Sequence, residues 1–208
     1  MVLKMYIWIL LVLVATAKCG FCPGFPFCDE KANPVSSSAV EHVITKDYAN
    51  VNGDNYIVTG DSAIITGNVN VVHGKKSKVS GDENIANGDN AHVEGKNNVV
   101  NGDNSAVIGN DNVINGKSHQ VTGDYNVANG DNGKIQGDWN KVTGNGIKVY
   151  GNWNRICGND VEVKGNDNAV IGKRFKLAGS NVGKEVEIDP KKVFSICSDA
   201  SFDALKPR

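Results

Sequence analysis

An aliphatic side chain recurs every seven residues along most of this chain, from Val58 to Leu177. Glycine follows these positions by two residues, and nineteen of the 24 glycines, from Gly53 to Gly179, share that spacing. Two residues before the aliphatic position, every second heptad carries an asparagine: Asn70, Asn84, Asn98, Asn112, Asn126, Asn140, Asn154 and Asn168. The intervening heptads carry unrelated residues there, so the true repeat is fourteen residues long.

This spacing favours short strands over a coiled coil. A helix would lose about 1 kcal/mol at every glycine, and only one position in seven is strongly apolar. In a strand, alternate residues share a face, so the asparagine, aliphatic and glycine positions point inward and the two residues between them point outward. Glycine and the aspartate or asparagine after it tolerate the left-handed backbone angles of a tight corner.

The predicted fold is therefore all-β: a two-sided β-solenoid, or β-roll, of about nine 14-residue coils over residues 53–178. Its core is one layer thick, with the inward asparagines stacked as hydrogen-bonded ladders. Ile44 and Val51 keep the aliphatic register without glycine, which predicts a capping half-coil before the first repeat. The register ends after Gly179, where Lys184 takes the aliphatic position, and we expect the remaining residues to fold back over the open edge.

The chain divides into four segments. Residues 1–17 have the basic, apolar and small-residue regions of a secretory signal, with an uncleaved anchor as the alternative. Residues 18–38 form a lead-in rich in cysteine, proline and serine, 39–183 the β-solenoid, and 184–208 a capping segment. We expect a secreted protein with no membrane partner after signal cleavage.

The repeat unit x-x-Asn-x-Val-x-Gly, clear in residues 109–116, resembles that of grass ice-recrystallisation-inhibition proteins, which are secreted antifreeze β-rolls. The resemblance spans residues 53–179 and implies a non-enzymatic protein of the apoplast or matrix that binds ice. The chain differs from that family because it carries asparagine only in alternate heptads and lacks a dense array of outward threonines and serines. Residues 104–109 are also similar to the rolls of trimeric bacterial adhesins, which implies a glycan-binding or structural cell-wall or matrix protein instead.

One predicted face is flat, uncharged and regular over four consecutive coils. Its outward residues are Ile85, Asn87, Val99, Asn101, Val113, Asn115, Val127 and Asn129. Such a face can order water or meet another periodic surface, so these are the candidate ice-binding residues. The alternative explanation is that duplication of the repeat copied residues that stack well, without any binding role. The opposite face, with residues such as Lys78, Lys134 and Glu162, is charged and irregular, as is typical of a solvated surface.

Three aromatic residues, Tyr125, Trp139 and Trp153, occupy the same corner position on successive coils, two residues after glycine. Exposed rings about 4.8 Å apart form a platform for sugar rings, which makes these the candidate glycan-stacking residues. The other interpretation is self-stacking of the rings, worth about 1 kcal/mol per pair. The predicted partner is thus ice or an extracellular polysaccharide.

All five cysteines follow the signal segment, and in an oxidising compartment they favour disulfides. An odd number leaves one thiol over or paired between chains, which leaves the oligomeric state open. Cys157 lies near the C-terminal end of the roll and Cys197 in the segment that folds back, so we predict that these two are bonded. The alternative leaves Cys157 free and pairs Cys197 between chains.

Charge and chemistry exclude several functions. Lys plus Arg total 22 and Asp plus Glu 23, so the net charge is −1. This balance does not indicate the excess of positive charge that is typical of nucleic-acid-binding proteins. Corner aspartates suggest calcium, but lysines interrupt their rows and the period differs from that of calcium-binding rolls, so no metal is predicted. The histidines show no ligand or triad spacing, and a one-layer core has no deep pocket. We therefore expect no catalytic residue, no cofactor and no enzymatic activity.

Overall fold

The structure is a computed structural model that describes residues 42–186, together with Cys197 and Ser201. The predicted signal and lead-in segments, with Cys19, Cys22 and Cys28, lie outside the described residues. Residues 42–186 form 21 strands. They are β1 (His42–Thr45), β2 (Asn50–Asn52), β3 (Tyr56–Thr59), β4 (Ile64–Thr66), β5 (Val71–His73), β6 (Lys78–Ser80), β7 (Ile85–Asn87), β8 (His92–Glu94), β9 (Val99–Asn101), β10 (Ala106–Ile108), β11 (Val113–Asn115), β12 (Gln120–Thr122), β13 (Val127–Asn129), β14 (Lys134–Gln136), β15 (Lys141–Thr143), β16 (Lys148–Tyr150), β17 (Arg155–Cys157), β18 (Glu162–Lys164), β19 (Ala169–Gly172), β20 (Lys176–Ala178) and β21 (Val182–Glu185).

The strands form two parallel sheets, and successive strands alternate between them. Sheet A contains the eleven odd-numbered strands and sheet B the ten even-numbered ones. Each strand pairs with the strand one coil away, so that Val99, Val113 and Val127 lie side by side. This confirms the predicted two-sided β-solenoid, in which β1 and β2 supply the cap before the first repeat glycine.

The core is a single layer between the sheets, filled by the middle residue of each strand. These side chains are almost fully buried; examples are Val58, Ile65, Val72, Val100, Ile114, Val121, Ile135, Val142, Val149, Ile156, Val163 and Val170. The inward asparagines are buried as well. Asn84 Oδ1 accepts the backbone N–H of Asn70 at 2.8 Å, and the same bond recurs from coil to coil up to Asn168. The ladders therefore satisfy the side-chain oxygens of these asparagines, whereas Nδ2 of Asn98, Asn126 and Asn140 has no partner among the described residues.

The repeat glycines allow adjacent coils to approach closely. At Gly95 the backbone has φ +140°, and a Cβ there would overlap the carbonyl oxygen of Gly81 on the preceding coil. Any other residue would therefore push the coils apart as well as strain the corner.

The last coil differs from the prediction. The final corner is one residue shorter, so Gly183, and not Lys184, lies in register with Val170. The prediction that Lys184 takes the aliphatic position is wrong, because counting by sevens assumes a constant corner length. A Cβ at Gly183 would lie 2.5 Å from the Phe175 ring, so the glycine makes room for that ring at the end of the core. In the described part of the chain, no helix is long and apolar enough to span a membrane.

Candidate functional site

The eight candidate ice-binding residues lie together on the outward side of sheet A, and we call this surface the asparagine face. It comprises Ile85, Asn87, Val99, Asn101, Val113, Asn115, Val127 and Asn129. The four aliphatic residues form one row and the four asparagines a second, parallel row, because the strands β7, β9, β11 and β13 pair in register. All eight side chains are half-buried.

The asparagine row is bonded to itself along the axis of the roll. The amide of Asn101 donates to Oδ1 of Asn87 at 2.8 Å, Asn115 to Asn101 at 2.9 Å, and Asn129 to Asn115 at 3.0 Å. Each of these bonds fixes the orientation of a half-buried amide, which leaves its remaining hydrogen-bonding capacity in a regular array. The sequence pattern placed these residues on one face, but it did not show this bonding.

The outward residues change type at both ends of the asparagine face. On the N-terminal side, Asn87 Nδ2 lies 3.3 Å from Nδ1 of His73, which takes the asparagine position on the preceding coil. On the C-terminal side, Lys141 and Thr143 take the aliphatic and asparagine positions. The uncharged ladder is thus confined to four coils.

Near its C-terminal end, sheet A is covered on the outward side of β17 and β19. The structure joins Cys157 to Cys197 in a disulfide with a Cα–Cα distance of 5.9 Å, as the sequence predicts. Both cysteines are buried, and they pack with Ile171, Ala169 and Val186. This cluster covers the outward side of β17 and β19, beyond the Lys141–Thr143 strand that follows the asparagine face.

Tyr125, Trp139 and Trp153, which we call the aromatic ridge, are about half exposed along one corner of the roll. Their backbones are left-handed, with φ between 58° and 59°, which is unusual for bulky residues. The ring centroids are 6.2 Å and 5.2 Å apart, and the planes lie within 8° of parallel. Trp139 thus has a parallel ring on each side, a geometry that self-stacking accounts for. The glycan-stacking role of these residues stays a prediction.

The corner aspartates act on the backbone. Asp54 Oδ1 accepts the N–H of Asn68 at 2.6 Å, and Asp103 Oδ1 accepts the N–H of Lys117 at 2.7 Å, in each case one coil further along. These carboxylates therefore hold neighbouring corners together. Among the residues that the structure describes, no group of three or more His, Cys, Asp or Glu side chains could hold a metal ion.

The outward side of sheet B carries charge, and its C-terminal strands hold a group that the sequence analysis did not separate from the solvated surface. Lys134 and Lys148 are adjacent in the sheet register, and Lys164 lies next to Tyr150. The lysine Nζ atoms of Lys134 and Lys164 lie 5.8 Å and 5.5 Å from the centre of the Tyr150 ring. The fourteen-residue spacing of Lys134 and Lys148 was the signal in the sequence that could have revealed this group.

A protein-family model described as the grass antifreeze beta roll matches residues 29–102 and 80–172, which together make up most of the chain. The chain belongs to the grass antifreeze β-roll family. Membership of this antifreeze family supports ice as the partner of the protein and a role outside catalysis. No curated protein and no solved structure matches the chain.

Proposed function

We propose that the protein is secreted, binds ice through the asparagine face and inhibits ice recrystallisation. The observation that carries the proposal is the uncharged four-coil ladder, in which a row of aliphatic side chains runs beside a row of mutually bonded amides. Water next to the apolar row is restricted in its orientation, while the amide row offers hydrogen bonds at the regular spacing of the coils. Together they suit a surface of ordered water.

Sheet A is better suited to ice than sheet B because ice does not solvate ions. Sheet B presents charged groups on its outward side, such as Glu94, which lies 2.8 Å from His92, and the pair of Lys148 and Glu162 at 3.9 Å. Moving such groups from liquid water to an ice surface would remove part of their hydration, which costs free energy. The asparagine face carries no such group.

Action outside the cell is supported by the disulfide and by the family. The bond between Cys157 and Cys197 persists in oxidising compartments and is uncommon in the cytosol. The predicted signal segment, residues 1–17, supplies the export route.

A charge placed in the aliphatic row tests this proposal. We expect Val113→Lys to abolish recrystallisation inhibition, measured by ice microscopy, because an ammonium group in the middle of the face retains its hydration shell. The side chain of Val113 points outward, so the circular dichroism spectrum should not change.

Ile108→Lys is the matched control, because Ile108 is an aliphatic residue 47% exposed on the outward side of sheet B. This variant should retain the parental activity. Equal losses in both variants, or no recrystallisation inhibition by the parent protein, would contradict the proposal.

A further inference from the structure

Charge is distributed unevenly along the outward side of sheet B. Strands β14, β16, β18 and β20 present four lysines and one glutamate there, a net charge of +3. The six even-numbered strands from β2 to β12 present one lysine and one glutamate on the same side. Their net charge is zero when histidine is counted as neutral. We call the C-terminal group the lysine patch; it consists of Lys134, Lys148, Lys164 and Lys176 around Tyr150.

The patch is ordered by its own contacts. The Tyr150 ring attracts the ammonium groups of Lys134 and Lys164, which lie within 6 Å of its centre. Glu162 lies between two lysines, 3.2 Å from Lys164 and 3.9 Å from Lys148. The hydrogen bond from Lys164 lowers the pKa of Glu162, so this carboxylate stays ionised and engaged. Positive charge remains in excess over the patch as a whole, since β14, β16 and β20 each present one lysine and no carboxylate.

The lysine side chains are available to a ligand. All four lysines of the patch are exposed, and the side chains of Lys148 and Lys164 keep 59% and 55% of their accessible surface. Lys134, Lys148 and Lys176 lie in one outward row, and the neutral hydrogen-bonding groups of Gln136 and Tyr150 lie in the parallel row, which continues to Lys164. The surface therefore places a row made mostly of lysines beside a second row that holds two neutral hydrogen-bonding groups and a fourth lysine.

We propose that the lysine patch is a second binding site, which takes a linear acidic polysaccharide of the polyuronate type. Such a polymer carries carboxylates and hydroxyls at regular intervals along its length, which suits a row of exposed lysines with neutral hydrogen-bonding groups beside it. Nucleic acid fits less well. The outward positions of sheet B in residues 50–178 contain no arginine for bidentate phosphate contacts, and the whole chain has a net charge of −1.

Equilibrium binding of the protein to immobilised polygalacturonate tests the site. The wild type should bind polygalacturonate and not its methyl ester, because esterification removes the carboxylate charge. In the triple variant Lys134→Gln/Lys148→Gln/Lys164→Gln, loss of three exposed ion pairs should raise the Kd by about tenfold. Its recrystallisation inhibition should not change, since the patch lies on the other sheet.

The matched control is Lys75→Gln/Lys96→Gln/Lys117→Gln, which removes the same charge from corners outside the patch. This variant should stay within about twofold of the wild-type Kd. Tyr150→Leu provides a second variant, which keeps the charges but removes the ring that positions two lysines, and should also weaken binding. Equal losses in the two triple variants, equal binding to the methyl ester, equally tight binding to duplex DNA, or no binding by the wild type would each overturn the proposal.

Discussion

His119 is a buried histidine in a core filled mainly by aliphatic residues and asparagines, with two buried serines, Ser77 and Ser105. Its Nδ1 lies 2.9 Å from the carbonyl oxygen of Gly116 and donates to it, whereas Nε2 has no partner among the described residues. The ring fits because Gly133 occupies the same position on the next coil, where a Cβ would lie 2.6 Å from Nε2. On earlier coils, Ser77 and Ser105 occupy the position equivalent to His119. Each serine hydroxyl donates to the carbonyl oxygen of the glycine three residues before it, Gly74 and Gly102 respectively.

Burial of His119 makes stability sensitive to acid. Burial lowers the pKa of this imidazole from its ordinary value of 6.5, so below about pH 6.5 the unfolded chain takes up a proton more readily than the folded chain. The His119 contribution is therefore complete above that pH and is lost as the pH falls. We expect His119→Ser to reduce the drop in unfolding free energy between about pH 7 and pH 5, measured by denaturant titration.

His42→Ser serves as the control for this effect, because His42 is exposed on β1. It should retain the acid-induced loss of the parent protein. The interpretation fails if the His119 variant shows the same pH dependence as the parent, whatever its stability at neutral pH.

The alternation of inward and outward residues is tested by two adjacent valines. Val100 is fully buried, whereas Val99 lies on the outward side of the same strand. We expect Val100→Asp to lower the unfolding free energy by about 3 kcal/mol or more, because an unpaired carboxylate enters a dry core. Val99→Asp should cost much less. Similar melting temperatures for the two variants would show that the register is wrong.

At the scale of the strands and corners, repetition made the fold predictable. A glycine, an asparagine and an aliphatic residue at fixed spacing indicated strand direction, sheet membership and which side chains, such as Val100, enter the core. Features that break the repeat were not predictable. Lys184 was misplaced because the last corner is one residue shorter, and nothing in a seven-residue count signals that change.

The candidate site was predictable to the same degree. Asn101 and Val113 were assigned to one face by their period, but side-chain bonding within the row depends on rotamers that a sequence does not encode directly. Likewise, the sequence placed Trp139 and Trp153 at a common corner but left open whether their faces were free. The 5.2 Å centroid distance between parallel rings shows that they contact each other.

The disulfide belongs to the cluster that covers the outward side of β17 and β19 in sheet A. It links residues 40 apart in the chain, and on the chain-entropy model such a loop contributes up to about 4 kcal/mol. We expect Cys157→Ser/Cys197→Ser to lower the unfolding free energy by about 2–4 kcal/mol in denaturant titration. Reductant should destabilise the parent protein and leave the double variant unaffected.

Peptide mapping without reductant provides the chemical control for that variant. A tryptic pair linked through Cys157 and Cys197 is the expected product. Alkylation of Cys157 in the folded monomer would contradict the bond.

At the scale of the whole molecule, the outward sides of the two sheets differ in charge. Sheet A presents the uncharged asparagine face over four coils, and further towards its C-terminal end the cluster around Cys157 covers its outward side. Sheet B presents charge, concentrated at its C-terminal strands. A rigid parallel roll keeps the two surfaces on opposite sides, because strands of the same sheet stay in register along its length. The proposed ice surface and the proposed polysaccharide site therefore do not compete for the same residues.

Direct adsorption to ice tests the proposed function most closely. The fluorescently labelled protein is offered to a single ice crystal that grows slowly, and the fluorescence on each crystal plane is recorded. We expect the parent protein and Ile108→Lys to coat defined planes and Val113→Lys to be excluded from the ice. Exclusion of the parent protein, or equal coating by Val113→Lys, would contradict ice binding through the asparagine face.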